Sequence, residues 1–321
     1  MKILITGIAG FIGSSLAMDL CKNNRNKVYG IDNLDRYSGK KLKLLRLNVL
    51  KKNKNFFFIK LDLKEKEKLN NLIKKNKFKI IYHFAAMVGV RYSLKHPEAY
   101  IKSNILGFSN LLESLRFNLP KKIIYASSSS VYGETKKFPI HELQELNPKN
   151  IYALTKKNNE DTAQIYSNIY KTQFIGLRFF TVFGEMGRPD MFIFKLLKSY
   201  FRKRVFYLNN KGNHYRDFTY IQDVKKILIF FLKTKFFFKN EVFNVCSNKP
   251  INLNIIIKFL EKKIGKFKIK NISINKADVY KTHGSNLKIR AISGIKRFTN
   301  YKVAIENTLN WYRKFKVYNL D

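Results

Sequence analysis

Tyr152 and Lys156 have the residue types and the spacing of a base and the group that activates it. Residues four apart share one face of a helix, so the phenol and the ammonium would lie side by side. A free tyrosine has a pKa of about 10 and is a poor base at neutral pH, whereas a neighbouring ammonium favours the phenolate. Lowering that pKa by about 3 units corresponds to about 4 kcal/mol. The pair predicts proton transfer, although this spacing taken alone also arises by chance.

A run of hydroxyl groups precedes this pair along the chain. The sequence Ala126-Ser-Ser-Ser-Ser130-Val-Tyr-Gly133 follows an apolar segment, 121–126, that is predicted to be a strand. At the carboxyl end of such a strand, a serine hydroxyl can face a bound cofactor. The alternative is an ordinary polar turn.

Three glycines, Gly7, Gly10 and Gly13, follow the apolar run Lys2–Thr6 and open a predicted helix. Glycines at this spacing allow a tight turn and let the backbone approach a pyrophosphate. The free N–H groups and the partial positive charge of a helix N-terminus then bind the phosphates. The triplet predicts a dinucleotide-binding loop, but an ordinary strand–helix turn can have the same composition.

Asp32 adds the second half of this signature. It ends the second predicted strand, 19 residues after Gly13, where an acid can accept hydrogen bonds from a ribose diol. A carboxylate there repels a 2′-phosphate, so the sequence favours NAD over NADP, and the nicotinamide charge would further stabilise a phenolate at Tyr152. Asp62 and Leu63 follow the third strand and are predicted to flank the adenine, with a surface position as the alternative for Asp62.

The hydrophobic pattern predicts a scaffold of alternating strands and helices for these residues. Strands are predicted at 2–6, 27–31, 56–61, 79–83, 121–126 and 173–177. Helices are predicted at 11–23, 64–75, 97–118 and 152–170, followed by 191–202, 221–235, 253–264 and 302–316. This alternation predicts an α/β fold, a doubly wound parallel sheet of the Rossmann type with a smaller C-terminal substrate lobe.

The regular alternation ends near residue 178, which predicts two parts. Residues 1–178 would form the NAD-binding domain, completed by parts of 214–245, and residues 179–321 would form mainly the substrate-binding lobe. Ligands of an open α/β sheet bind at the carboxyl ends of its strands, so the lobe would close over that edge.

Charge is the most unusual feature of the composition. Lys and Arg number 63 against 22 for Asp and Glu, a formal net charge of +41. Such a charge can serve nucleic-acid or membrane binding, and a positive field also attracts a nucleotide diphosphate. Because the lysines are scattered with Asn, Ile and Phe along the whole chain, compositional drift is the favoured interpretation. No nucleic-acid or membrane partner is expected, with polyanion binding as the alternative.

The two cysteines, Cys21 and Cys246, are far apart and fit no metal-ligand spacing. No metal site and no disulfide framework are expected, which agrees with a reducing cytosol. The N-terminus has no cleavable signal pattern, and the longest apolar run, near 227–232, is too short to span a membrane. These features predict a cytoplasmic protein.

The motifs together resemble the extended short-chain dehydrogenase/reductase family of enzymes acting on nucleotide sugars, and within it the UDP-glucuronate 4-epimerases. The matching stretches are 7–13, 30–33, 85–86 with 89–93, 125–133, 152–157, 177–182, 187–191 and 216–221, spread over about two thirds of the chain. The serine run, the Phe-Phe-Thr-Val segment and the Gly-Arg-Pro-Asp-Met segment are together specific to that subgroup. The chain departs from the subgroup at Met87, where Gln is usual, and at Glu185-Met186, where Pro-Trp is usual.

The resemblance implies a role for each matching residue. Ser128 would hydrogen-bond the sugar oxygen, Tyr152 would be the base, and Lys156 would activate it and bind the nicotinamide ribose. The expected cofactor ligands are Gly7, Gly10, Phe11, Ile12, Gly13, Asp32, Asn33, Asp62, Leu63, Ala85, Ala86, Asn104, Tyr152, Lys156 and Phe180. The expected substrate ligands are Arg91, Ser129, Ser130, Thr181, Arg188 and Arg216. Family members are commonly dimers, which implies a homodimer.

The reaction implied by the resemblance is NAD-dependent 4-epimerisation of a UDP-sugar, UDP-glucuronate to UDP-galacturonate, through a transient 4-keto sugar. A dehydratase of the same fold needs an Asp-Glu pair directly after the catalytic hydroxyl, where this chain has Ser129 and Ser130. Decarboxylases usually have an acid in this run too. Two alternatives stay open: a UDP-galactose-type epimerase acting on a neutral hexose, and a non-catalytic member of the fold that binds RNA or a partner.

Overall fold

The computed structural model describes residues 1–35, 37, 39–273 and 279–319. Its strands are β1 (Lys2–Thr6), β2 (Lys27–Asp32), β3 (Phe56–Lys60), β4 (Ile80–His83), β5 (Lys122–Ser128), β6 (Gln173–Phe179), β7 (Thr181–Phe183), β8 (Phe206–Asn209), β9 (Tyr215–Tyr220), β10 (Asn240–Val245), β11 (Pro250–Asn252) and β12 (Ile269–Ile272). Its α-helices are α1 (Phe11–Cys21), α2 (Lys40–Leu50), α3 (Lys66–Lys75), α4 (Val90–Lys95), α5 (Pro97–Tyr100), α6 (Gly107–Ser114), α7 (Ile151–Ile169), α8 (Phe192–Phe201), α9 (Ile221–Lys233), α10 (Leu253–Ile264), α11 (Leu287–Ser293) and α12 (Tyr301–Lys314).

Seven strands form one central sheet in the order β10-β6-β5-β4-β1-β2-β3, and every pairing in it is parallel. The chain builds β1 to β3 toward one edge and β4 to β6 toward the other, so the order reverses between β1 and β4. A crevice opens beyond the carboxyl ends of the strands at such a reversal, and ligands bind there. The predicted α/β class and the Rossmann-type parallel sheet are confirmed.

Side chains of the central sheet are buried on both of its faces. In β1, Ile3 and Ile5 point into the apolar cluster that contains α1 and α9, while Leu4 points into the opposite cluster with α3 and α6. All three side chains are fully buried, and each such burial contributes about 1.5–3 kcal/mol. Burial on both faces explains the continuous apolar runs that predicted the parallel strands.

A smaller set of strands lies beyond the central sheet. Strands β11, β9 and β7 form a three-stranded sheet, and β12 pairs with β8. Strand β7 begins at Thr181, two residues after β6 ends at Phe179, so the chain passes directly from the central sheet into this second part. These strands are three to six residues long, and none of them is among the strands predicted from the sequence.

The helix predicted over 97–118 is interrupted in the structure. A π-helical turn, Ile101–Leu106, separates α5 from α6, and a 3₁₀ turn, Leu115–Phe117, follows. The backbone N–H of Gly107 reaches the carbonyl of Lys102, five residues back, which is the π-helical pattern. Asn104 lies in this turn, and its side chain is buried next to the site described below.

Helix α2 was missed by the sequence pattern for a physical reason. Its buried face consists of Leu42, Leu47 and Leu50 together with the cations Lys43 and Arg46. Buried cations interrupt the apolar periodicity on which helix prediction depends.

Three further observations concern metals, cysteines and membranes. Over the described residues, no group of three or more His, Cys, Asp or Glu side chains is arranged to hold a metal ion. Cys21 and Cys246 are both buried and unpaired. The described part of the chain also contains no helix with the length and apolarity needed to cross a membrane.

Candidate active site

The loop between β1 and α1 brings backbone very close to backbone. Gly7 has a φ of 70°, and a Cβ there would lie 2.6 Å from the amide nitrogen of Ala85. A Cβ on Gly13 would lie 2.6 Å from the carbonyl oxygen of Gly7. Only glycine fits both positions, and the resulting flat backbone leads straight into the N-terminus of α1, where an anion is stabilised.

Asp32 ends β2 beside this loop, and its carboxylate is almost fully buried. It accepts hydrogen bonds from the amides of Ala9 at 3.1 Å and Leu34 at 2.8 Å. Lys43 of α2 also approaches it, with Nζ 3.4 Å from Oδ1. Sequence reasoning missed Lys43, which faces the predicted ribose acceptor and partly offsets its charge.

Asn33 and Asp62 are held together at the adjoining strand ends. The Asn33 amide donates to Asp62 at 2.9 Å, and Asp62 in turn accepts from the backbone of Lys64 at 3.0 Å. This contact joins the ends of β2 and β3, where the sequence predicted the adenine.

Ser128 and Tyr152 meet at the end of β5. Strand β5 ends at Ser128, and a 3₁₀ turn from Ser129 to Tyr132 follows, so the serine run lies at a strand's carboxyl end as predicted. Burial raises the pKa of Tyr152, while its hydrogen bond with Ser128 and the charge of Arg188 act in the opposite direction. Ser128 also contacts Ser130, whose amide donates to its hydroxyl at 3.2 Å.

Lys156 lies one turn further along α7 and is 2% exposed. Its ammonium donates to the carbonyl of Ala126 at 2.8 Å, which ties α7 to β5. Burial lowers the pKa of Lys156 to about 8, and the negative field of Glu160 opposes that shift. The sequence predicted that Lys156 would lower the pKa of Tyr152; in the structure the groups that do so are Ser128 and Arg188.

Asn104, expected among the cofactor ligands, does not line the cleft. Its amide nitrogen donates to the carbonyl of Met87 at 3.0 Å and to the hydroxyl of Thr155 at 3.0 Å. Its oxygen accepts from the Met87 amide at 2.7 Å. Asn104 therefore braces the Met87 loop against α7 from behind, because the π-helical turn directs its side chain inward.

Arg188 and Asp190 form an ion pair close to Tyr152. Nε of Arg188 lies 3.0 Å from Oδ1 of Asp190, and Nη2 lies 2.5 Å from Oδ2. The carboxylate thus occupies one edge of the guanidinium. The positive charge is close enough to Tyr152 to lower the pKa of its phenol.

One cleft of about 1010 Å³ contains these groups. The expected cofactor ligands that line it are Gly7, Gly10, Phe11, Ile12, Gly13, Asp32, Asn33, Asp62, Leu63, Ala85, Ala86, Tyr152, Lys156 and Phe180. The expected substrate-site residues that line it are Arg91, Ser128, Ser129, Ser130, Thr181, Arg188 and Arg216. Sequence reasoning missed the far end, which is lined by Lys195, Lys198, Arg202 and Arg204 of α8 and the turn after it, and by Phe206 to Asn209 of β8.

The comparison with protein families agrees with this arrangement. Residues 3–246 match the model of the NAD dependent epimerase/dehydratase family. The chain belongs to this family. The resemblance inferred from the motifs is thereby confirmed, and the match spans both the glycine-rich loop and the Tyr152–Lys156 pair.

Two relatives are similar to this chain along their whole length. An uncharacterized protein of Methanocaldococcus jannaschii is 41% identical, over 98% of this chain and 97% of its own. A UDP-glucuronate 4-epimerase of Thermodesulfobacterium geofontis is 36% identical, over 97% of this chain and 96% of its own.

A solved structure of the same family has a very similar fold. The UDP-glucuronic acid 4-epimerase from Bacillus cereus, in complex with UDP-glucuronic acid and NAD, superposes with a TM-score of 0.92. It is 30% identical, and the alignment covers 98% of this chain and 100% of that one.

Proposed function

We propose that this chain catalyses the NAD-dependent 4-epimerisation of a UDP-sugar and interconverts UDP-glucuronate with UDP-galacturonate. The observation that carries the proposal is that Ser128, Tyr152 and Lys156 line the same cleft as the glycine-rich loop. Similarity to the two UDP-glucuronate 4-epimerases described above supports the choice of sugar.

The residues at the end of the cleft that contains the glycine-rich loop fit NAD. Close backbone approach at Gly7 and Gly13 suits a pyrophosphate, and the Asp32 carboxylate suits a ribose diol rather than a 2′-phosphate. When bound, NAD would supply the reversible hydride chemistry at C4 of the sugar, with no net oxidation.

The chain's own residues move the proton and hold the sugar. Tyr152 as phenolate takes the proton of the C4 hydroxyl, and Ser128 hydrogen-bonds the same oxygen. Lys156, fixed by Ala126, keeps a positive charge beside the phenolate. The 4-keto sugar turns about its diphosphate link, so that the opposite face of C4 receives the returning hydride, and Tyr152 returns the proton to the C4 oxygen. A positioned general base of this kind contributes about 10²–10⁴-fold to the rate.

The far end of the cleft is electropositive and suits the nucleotide part of the substrate. Lys195, Lys198, Arg202, Arg204 and Arg216 all line it. A diphosphate carries the complementary charge, and a positive field of this kind also raises the rate of association.

The sugar carboxylate is proposed to lie among Ser129, Ser130, Thr181 and Arg188. Hydrogen bonds to a charged group contribute about 1.5–3 kcal/mol each. A 4-keto uronate is a β-keto acid and loses CO₂ most readily when its carboxylate leaves perpendicular to the keto plane. Several donors around the carboxylate hold it away from that angle.

Epimerisation is proposed as the sole chemistry. Among the described residues, the acids that line the cleft are Asp32, Asp35, Asp62 and Asp190. The first three belong to the cofactor end, and Asp190 is paired with Arg188. Among the described residues that line the cleft, none beside Ser128 is an acid that could expel a C6 hydroxyl, as a dehydratase requires.

A panel of UDP-sugars tests the proposal. We expect kcat/KM to be higher for UDP-glucuronate than for UDP-glucose, and Thr181→Val to lower the former more than the latter. A wild-type preference for the neutral hexose would instead favour a UDP-glucose 4-epimerase. Release of a 6-deoxy-4-keto product or of a pentose nucleotide would refute epimerisation as the sole reaction.

We also propose that the active form is a homodimer. Leu154, Ile165 and Ile169 on α7 are exposed, as are Ile101 and Leu106 on the adjacent helical segment. An exposed apolar stripe of this kind is stabilised in water when a second copy covers it. We propose a cytoplasmic location, because both cysteines have unpaired thiols. We propose no nucleic-acid or membrane partner.

A further inference from the structure

Arg46 of α2 is a fully buried cation that touches two different loops. Its Nη1 donates to the carbonyl of Ala9 at 2.9 Å. Its Nε and Nη2 donate to the carbonyl of Met186 at 3.1 and 2.6 Å, and Nη2 also donates to the carbonyl of Gly187 at 2.9 Å. The hydrogen bonds of this guanidinium, as far as the structure describes the chain, all end on main-chain oxygens.

Burying this charge costs free energy that an apolar side chain would not cost. Burial lowers the pKa of Arg46 to about 9, and the negative fields of Asp32 and Asp190 only partly offset it. An apolar residue of similar volume at a buried ionic position is often neutral or stabilising. The guanidinium therefore provides what an apolar side chain cannot, namely hydrogen bonds that hold the carbonyls of Ala9, Met186 and Gly187 together.

The two loops that Arg46 joins serve different parts of the cleft. Ala9 lies in the glycine-rich loop, and its amide also donates to Asp32. Met186 and Gly187 lie in the turn that leads directly into Arg188. This turn is conformationally strained, because Met186 adopts a φ of 61°, which L side chains rarely adopt. Its geometry thus depends on an outside support, and Arg46 provides that support.

We infer that Arg46 is a positioning residue that fixes Arg188 at the sugar end of the cleft by anchoring its turn to the cofactor loop. This inference rests on the proposed function, because it takes Arg188 to act on the sugar carboxylate. A lysine at this position has a single nitrogen and cannot span both loops as the guanidinium does. The anchoring also links sugar binding to the conformation of the dinucleotide loop.

A double-mutant cycle separates this role from simple structural support. The variants are Arg46→Met, Arg188→Met and the double variant, with Arg46→Lys as the conservative change. Lys122→Met is the matched control, because Lys122 is also buried and donates to main-chain carbonyls, those of Phe231 at 2.9 Å and Thr234. Calorimetry on the NAD-loaded protein gives Kd for UDP-glucuronate and for UDP, and thermal unfolding gives Tm.

We expect Arg46→Met to weaken UDP-glucuronate binding about tenfold while changing UDP binding less than twofold, since UDP lacks the carboxylate. The double variant should bind no more weakly than Arg188→Met alone, because Arg46 acts through Arg188. Lys122→Met should lower Tm without changing either Kd. If Arg46→Met does not fold, Arg46→Lys should show the same selective loss.

Two outcomes overturn the inference alone. One is that the effects of Arg46→Met and Arg188→Met multiply to about a hundredfold in the double variant. The other is that UDP and UDP-glucuronate binding weaken equally in Arg46→Met. A wild-type protein that binds UDP but not UDP-glucuronate overturns the proposed function, and the inference with it.

Discussion

Glu160 accepts two hydrogen bonds from the guanidinium of Arg178, 2.9 Å from Nε to Oε1 and 2.7 Å from Nη2 to Oε2. Both side chains are buried, at 7% and 5% exposure. The hydroxyl of Ser127 donates to the same carboxylate. The pair therefore ties α7, which carries Tyr152, to β5 and β6 immediately behind the cleft.

Breaking this pair should destabilise the fold strongly. Arg178→Met leaves Glu160 as an uncompensated buried charge, and the free energy of unfolding should fall by about 3–5 kcal/mol. Adding Glu160→Gln should restore part of the loss. Urea denaturation measures both changes. The matched control is Glu306→Gln, because the exposed pair of Glu306 with Lys263 should contribute less than about 1 kcal/mol. Equal losses of unfolding free energy in Arg178→Met and Glu306→Gln would contradict this account.

Activity should fall at alkaline pH because Lys156 must stay charged. Its pKa is lowered to about 8 by burial, so the ammonium that the proposed mechanism requires beside Tyr152 is lost as the pH rises through that value. The alkaline limb of log kcat/KM, which reports groups of the free enzyme, should therefore begin near pH 8. Glu160→Gln should move the limb to lower pH, because the field of Glu160 raises the Lys156 pKa.

The control for the pH profile is Lys157→Gln, which removes the neighbouring cation without touching Tyr152. Its limb should stay at the wild-type position. A limb that Glu160→Gln leaves in place would mean that a different group titrates.

Cofactor choice should depend on Asp32. The wild type should bind NAD more tightly than NADP, because the carboxylate would lie close to a 2′-phosphate. Asp32→Ala should narrow this preference, since it leaves Lys43, now 3.4 Å from the carboxylate, to meet the phosphate. Calorimetric titration with both dinucleotides measures this preference. The control is Asp62→Ala, which should leave the preference unchanged because Asp62 is expected beside the adenine that both dinucleotides share. Wild-type binding of NADP as tight as that of NAD would refute the assignment.

The dimer should depend on the apolar stripe of α7. Ile165 is 60% exposed, and Ile165→Lys would place a charge in the proposed interface. We expect light scattering to show a dimer for the wild type and a monomer for the variant. Ile272→Lys, at another exposed isoleucine, on β12, should remain dimeric. A wild-type monomer at micromolar concentration would refute the dimer.

The sequence predicted the parts of the site that depend on one strand and the helix after it. The glycines, Asp32, the serine run and the Tyr152–Lys156 pair are each local in the chain, and strong apolar periodicity marks their strands. The carboxyl ends of parallel strands meet at one edge, so these local signals were sufficient to bring the groups into one cleft.

Contacts between distant segments could not be predicted in this way. Arg46 is 140 residues from Met186 in the chain, and nothing in the sequence near either residue indicates the contact. Helix α2 was missed because its buried face carries Lys43 and Arg46 among the leucines. Asn104 lies in a π-helical turn, which has no sequence pattern of its own, so its contacts with Met87 and Thr155 could not be predicted.

The fate of the hydrogen at C4 tests the central claim most directly. Purified protein is incubated with UDP-glucuronate that carries deuterium at C4, and the products are analysed by chromatography and mass spectrometry. The account predicts UDP-galacturonate that retains the deuterium at C4, and a Tyr152→Phe variant that keeps NAD bound but has less than a tenth of the rate. Absence of UDP-galacturonate, loss of the deuterium to water, or a Tyr152→Phe variant with more than a tenth of the activity would contradict it.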